Sequence, residues 1–217
     1  MEKFILLTLL LLVLSSAAPA GAEVEKPGFF AHGMTDIQYA YSNSELSWLK
    51  RGPDKLRWDE TDQDELQLGQ LALEVGYAFD LKTQLKLSAH YYTDPERSVE
   101  LTEAYWQHRT LGTGNWRSRY RIGVFYPGFS MENTGPLWTS PYTITSSAIN
   151  TWLAEELRTV GMEGRWTWTA DAYNRSKHKF SFFAALFAYN DPLGAMISWR
   201  GWSVHDRQTG VNGTLPI

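Results

Sequence analysis

The feature that most restricts this chain is a two-residue rhythm repeated along much of its length. From Leu71 to Phe79 it reads LALEVGYAF, so Leu71, Leu73, Val75, Tyr77 and Phe79 alternate with Ala72, Glu74, Gly76 and Ala78. Successive side chains of a strand point to opposite faces, so the pattern predicts a strand with one large apolar face and one small or polar face. Leu85, Leu87, Ala89 and Tyr91 repeat it against Lys86, Ser88 and His90. Trp116, Tyr120, Ile122, Val124 and Tyr126 do so against Arg117, Arg119 and Arg121. Val160, Met162, Trp166 and Trp168 face away from Thr159, Glu163, Arg165 and Thr167, and Ile37, Tyr39 and Tyr41 form a shorter version. Three segments are less regular. Val99–His108 has an ambiguous apolar face, Phe180–Tyr189 is apolar on both faces, and Met196–His205 carries Trp199 and Trp202 on opposite faces. The expectation is an all-β chain of about eight strands, each roughly ten residues long, with a doubtful ninth near Leu46–Lys50.

Composition narrows the function classes. The 217 residues include 10 Trp, 11 Tyr and 10 Phe but no Cys, with a formal net charge of −4. That aromatic content is too high for a disordered chain. Without Cys there is no disulfide scaffold, thiolate metal site or cysteine nucleophile. The charge balance lacks the basic face of a nucleic-acid binder. Lys3, the apolar run Phe4–Leu14 and the small stretch ending Ala20-Gly21-Ala22 read as a secretory signal peptide over residues 1–22. The run is too short for a transmembrane helix of about 20 residues, and residues 23–217 hold no longer one.

Alternating strands suit a soluble sandwich or a membrane barrel. A sandwich turns its apolar face inward. A transmembrane barrel turns it to lipid, with aromatic girdles at both rims and a polar interior. Strand length, the aromatics Tyr77, Phe79, Tyr91, Tyr92 and Tyr126, and three arginines on one strand face favour the barrel. Of the expected connections, Ser42–Glu65 and Pro127–Glu156 are the longest. Both are odd-numbered and so fall on one side of an up-and-down sheet, as the outside loops of such barrels do.

The leader, the aromatic-capped alternating strands and the long segment Glu132–Gly161 together resemble Gram-negative outer-membrane porins. The resemblance implies an antiparallel up-and-down transmembrane β-barrel over residues 23–217. It implies passive diffusion of small hydrophilic solutes, a surround of outer-membrane lipid and lipopolysaccharide, room for a homo-oligomer, and neither enzyme activity nor cofactor. It also implies that Pro127–Glu156, the third outside loop, folds inward and narrows the lumen. Two departures stand out. The chain ends Gly213-Thr214-Leu215-Pro216-Ile217 rather than on an aromatic, and porins of this kind have about twice as many strands. An eight-stranded barrel is filled by its own side chains. The chain is therefore either a small barrel with its loop outside or, the favoured reading, an incomplete half of a larger one.

Within that frame Arg117, Arg119, Arg121, Glu163 and Arg165 are candidate pore-lining residues. Ile149, Trp152 and Leu153 fall at helical spacing, which would present Glu155 and Glu156 to the arginines across a constriction. The acidic stretch Arg57–Glu65 reads as a solvated loop or a site for an oxygen-liganded cation. His32, His90, His108, His178 and His205 show no metal-ligand spacing, and no Gly-x-Ser-x-Gly elbow is present. The rivals are a secreted all-β carbohydrate-binding protein, with Trp152, Trp166, Trp168, Trp199 and Trp202 as stacking platforms, and a small structural or adhesive barrel.

Overall fold

The computed structural model describes residues 26–54, 57–62, 65–93, 99–111, 114–128, 132–133, 136–140, 142–143, 147, 157–170, 178–189, 191–194 and 208–213. Seven strands follow in chain order: β1 (Gly28–Ala40), β2 (Glu65–Ala78), β3 (Thr83–Tyr91), β4 (Val99–Arg109), β5 (Trp116–Phe125), β6 (Thr159–Thr169) and β7 (Lys179–Ala188). They build one antiparallel sheet in which every strand pairs with its sequence neighbours. Among the described residues helix is confined to little more than three 3-10 turns, Trp48–Lys50, Glu60–Asp62 and Pro136–Trp138. The sheet is open, since no pairing joins β1 to β7 among the described residues.

Two expectations change. Leu46–Lys50 is no strand: Ser47 caps a 3-10 turn by accepting the Leu49 N–H, and Arg51 ends it in the left-handed region at φ 63°. The first strand starts at Gly28, well before Ile37. The signal peptide (residues 1–22), the eighth strand Met196–His205 and the helical spacing at Ile149–Leu153 all lie outside the described residues.

Two bulges explain why the rhythm was broken where it was. Opposite Asp36 and Ile37 the register of β2 skips Gly69, so Leu66 and Leu68 share a face with Leu71 and Leu73 although their parity differs. One extra residue moves every later side chain to the other face unless the backbone absorbs it. Gly69 absorbs it where a Cβ would lie 2.5 Å from the Asp36 carboxylate. In β4 the register skips Thr102, between the partners of Ser88 and Ala89. Val99 and Leu101 therefore share a face with Ala104 and Trp106, and Glu100, Glu103 and Tyr105 take the other. The Thr102 hydroxyl donates to the Ser88 carbonyl.

Burial over the sheet is inverted relative to a soluble sandwich. Leu73 (52% exposed), Tyr77 (49%), Ile122 (50%) and Leu186 (73%) stand in the open, whereas Glu74 (8%), Glu103 (4%), Arg121 (6%) and Glu163 (3%) are buried. The apolar face points outward, and the polar face forms the interior.

The two longest connections leave the same end. Loops 41–64, 92–98 and 126–158 leave this long-loop end, and 79–82, 110–115 and 170–178 leave the short-loop end. Asp80 makes the tightest of the short turns by accepting the Lys82 and Thr83 N–H groups. At the long-loop end Trp48 packs on Leu193, with Leu49 and Leu157 against them, so loops from beyond β1 and β7 meet there. Residues 208–213 lie in the same cap. The Gly210 N–H donates to Glu100 at 2.7 Å, Gln208 donates to the Leu137 and Trp138 carbonyls, and Arg158 donates to the Thr209 and Gly210 carbonyls. Asp191 pairs with Arg158 at 3.5 Å and accepts the Thr209 hydroxyl, so the chain stands at the same end on both sides of 195–207.

Within the described part of loop 41–64, one carboxylate gathers several donors. Asp59 is buried and accepts from the Ser47 N–H (2.9 Å), the Thr61 N–H (2.9 Å), the Thr61 hydroxyl (2.5 Å) and Lys50 Nζ (3.2 Å). Burial alone would push its carboxyl up, but these donors outweigh burial and hold it at about 2, below the usual 3.8. A carboxylate lowered in this way stabilises the fold above its unfolded pKa, and that contribution is lost as pH falls through the folded value. Acidification through the window from about 4 to 2 should therefore shift tryptophan fluorescence while strand circular dichroism persists, and Asp59→Asn should lack the step. A step of equal size in Asp59→Asn would remove Asp59 as the anchor.

Candidate functional site: a charged belt on the interior face

The strands deliver one inward charged group after another across the sheet. His32 on β1 approaches Glu74 on β2 at 3.3 Å, and Lys86 on β3 approaches Glu74 at 2.5 Å and Glu103 on β4 at 4.0 Å. Glu103 accepts the Tyr126 N–H at 3.1 Å. Tyr105 lies between two cations, with Lys86 Nζ 5.5 Å and the Arg121 guanidinium 5.1 Å from its ring centre. On β5 and β6, Arg121 Nε donates to Glu163 Oε1 at 2.6 Å, and Arg119 reaches the same oxygen at 3.5 Å. The arrangement follows from the register, since Arg121 and Glu163 are direct cross-strand partners. A belt of alternating sign thus crosses five strands, β2 to β6, with the His32 ring against its edge on β1, where a lone buried charge would be expensive.

The belt ends unevenly. Arg119 and Arg165 are also direct partners, and like charges placed opposite each other repel. Arg165 rests over the Phe183 ring at 5.8 Å, and the β7 residues paired with Arg165 and Glu163, Phe183 and Ala185, bring no charge to this level of the face. The start of loop 126–158 folds in over this spot. Arg121 donates to the Tyr126 carbonyl at 2.9 Å, and the Gly128 N–H donates to Glu163 Oε2 at 3.3 Å. Further out, Tyr126 stacks on Trp138 at 4.9 Å.

The structure brings together Arg119, Arg121, Glu163 and Arg165. Arg117 shares their face, pairs with Thr167 and is exposed nearer the short-loop end. Glu155 and Glu156 lie outside the described residues. The carboxylate that meets the arginines here is Glu163, from the adjacent strand. Sequence reasoning placed Glu74 and Lys86 on a polar face without singling them out. It missed Glu103, because the Thr102 bulge hides the inward set of β4. Nothing local to Gly128 could reveal what its bare backbone would approach. In the acidic stretch Arg57–Glu65, Asp59 is engaged by the loop itself. Trp166 lies on the outward face, where its indole N–H donates to the Tyr120 hydroxyl at 3.1 Å.

No family model matches the chain, and neither a characterised protein nor a solved structure is significantly similar to it.

Glu163 meets two guanidinium groups, Arg121 at 2.6 Å and Arg119 at 3.5 Å, so its neutralisation should be the costliest single change in the belt. Glu163→Gln is expected to destabilise the protein by about 3 kcal/mol, as when one partner of a buried pair is removed. Arg121→Met combined with Glu163→Leu should recover part of that loss. Denaturation midpoints of the three variants check this, and a Glu163→Gln midpoint equal to the parent's would show that the carboxylate carries no such burden.

Proposed function

We propose that the chain is a porin-type outer-membrane β-barrel protein that passes small hydrophilic solutes along its charged interior face. The observation that carries this reading is the inverted burial: leucines, isoleucine and aromatics outward, carboxylates and guanidinium groups inward. In water such a surface would be one large apolar patch, far beyond what a monomeric soluble protein exposes. In hydrocarbon it is the favourable arrangement.

Dimensions and aromatic placement agree. On β1 the outward ring positions run from Phe29 to Tyr39, about 33 Å along an extended strand. At a barrel tilt of about 40° this spans roughly 25 Å, the height of a transmembrane apolar band. Tyr77, Trp106, Trp116 and Phe180 gather toward the short-loop end of the outward face, and Tyr39 and Tyr91 mark the other, with aliphatic residues between. On this reading the short turns face the periplasm, and loops 41–64, 92–98 and 126–158 face outside, surrounded by lipopolysaccharide. Unpaired strand edges are not tolerated in lipid, so the working form completes the ring beyond β1 and β7 with further strands.

Two measurements test the proposal. The folded protein should run differently on a detergent gel before and after boiling, as closed barrels do and sandwiches do not. In planar bilayers it should conduct, and Arg119→Glu should shift the reversal potential toward cation preference. Identical migration with and without boiling, together with no conductance, would refute the channel. A Glu variant with the parent's selectivity would take Arg119 out of the solute path.

A further inference from the structure

We propose that Gln208 latches a strained turn, Pro136–Trp138, across the long-loop mouth, and that releasing this latch widens the passage. The inference rests on the channel reading for its consequence, while the latch itself stands on hydrogen bonds and backbone conformation. The turn belongs to the loop that leaves β5, yet it lies beside β2, so the described chain crosses the mouth at this point. Leu137 and Trp138 both take the left-handed conformation, at φ 57° and 58°. Bulky residues avoid that region, and two in succession persist only where their surroundings impose it. The turn therefore stores strain, and it relaxes toward ordinary backbone once its restraints go.

The restraints come from a distant part of the chain. The Gln208 side-chain amide donates to the carbonyls of both strained residues, Leu137 at 3.3 Å and Trp138 at 2.8 Å. Tyr126 stacks on the Trp138 indole with the ring planes 11° apart. Gln208 itself sits on a buried base. Its N–H donates to the Tyr92 hydroxyl at 2.9 Å, and that hydroxyl lies 3.2 Å from His90 Nδ1. Just beyond it, Arg158 donates to the Gly210 carbonyl at 2.8 Å, Glu100 accepts the Gly210 N–H at 2.7 Å, and the Val211 N–H donates to the Leu101 carbonyl at 2.8 Å. Residues 208–211 are thus tied to the wall at β4 and just ahead of β6. Two neutral hydrogen bonds from Gln208 join this fixed segment to the turn. Neutral bonds are weaker than the charge-assisted bonds of Arg158 and Glu100 beside them, so the joint under strain is the one held by the weaker bonds. Gln208 is accordingly a positioning residue for the turn that crosses the mouth.

Gln208→Met keeps an unbranched side chain of similar length and removes the donor. In the full-length protein in detergent, amide hydrogen exchange at residues 137–140 should run at least tenfold faster in Gln208→Met than in the parent, with strand circular dichroism unchanged. In planar bilayers the single-channel conductance of this variant should rise at least twofold. Tyr92→Phe, which removes the phenol that seats Gln208, should move both readouts the same way and stands in if Gln208→Met fails to fold. Parent-like exchange at 137–140 in a folded variant would overturn the latch. Faster exchange with the parent's conductance would overturn its hold on the passage. Faster exchange in a protein that never conducts, parent included, would sink the channel reading and leave the latch standing.

Discussion

One constraint organises this molecule: each strand must keep its large apolar side chains on one face and its charges on the other, and the charges are the buried set. Hydrogen-bonded strands can bury carboxylates and guanidinium groups only where each meets an opposite charge or a backbone donor. The sheet meets that demand by register. Glu74 lies between His32 and Lys86, Lys86 between Glu74 and Glu103, and Glu163 against Arg121. A slip of one residue in any pair would turn apolar groups inward and strand the charges, so the belt also specifies the pairing.

The interior compensates its charge well over β1 to β4 and poorly at β5 and β6. There Arg119 faces Arg165 across the strands, and the described start of the loop that folds over them meets this group with the Tyr126 carbonyl and the Gly128 N–H. That imbalance sets this part of the belt apart from a purely structural polar core. The long-loop end, by contrast, is tied down. Arg158, Asp191 and Thr209 are all buried, and together they join loop 126–158, the end of β7 and residues 208–213.

Much of the fold was legible because β-strands write their faces directly into parity. Leu71 to Phe79, Leu85 to Tyr91 and Trp116 to Val124 read correctly, down to which residues share a side. Legibility failed where parity failed. Gly69 and Thr102 each add one residue, and with that single insertion β2 lost its first half and β4 its apolar face to sequence reading. The 3-10 turn at Trp48 was misread as strand-like because a short apolar run carries no period of its own. Within the site, Arg119, Arg121, Glu163 and Arg165 were visible as polar positions, but their grouping around Gly128 was not.

The order of residues alone determined the strand class, the up-and-down arrangement of long and short connections, and the separation of apolar from charged faces, because all three depend on neighbours one or two positions apart. Only tertiary structure decided which carboxylate meets which cation, where the bulges reset the faces, and that residue 128 stands beneath three arginines. Those outcomes depend on register and loop path between segments tens of residues apart, and no local pattern encodes them.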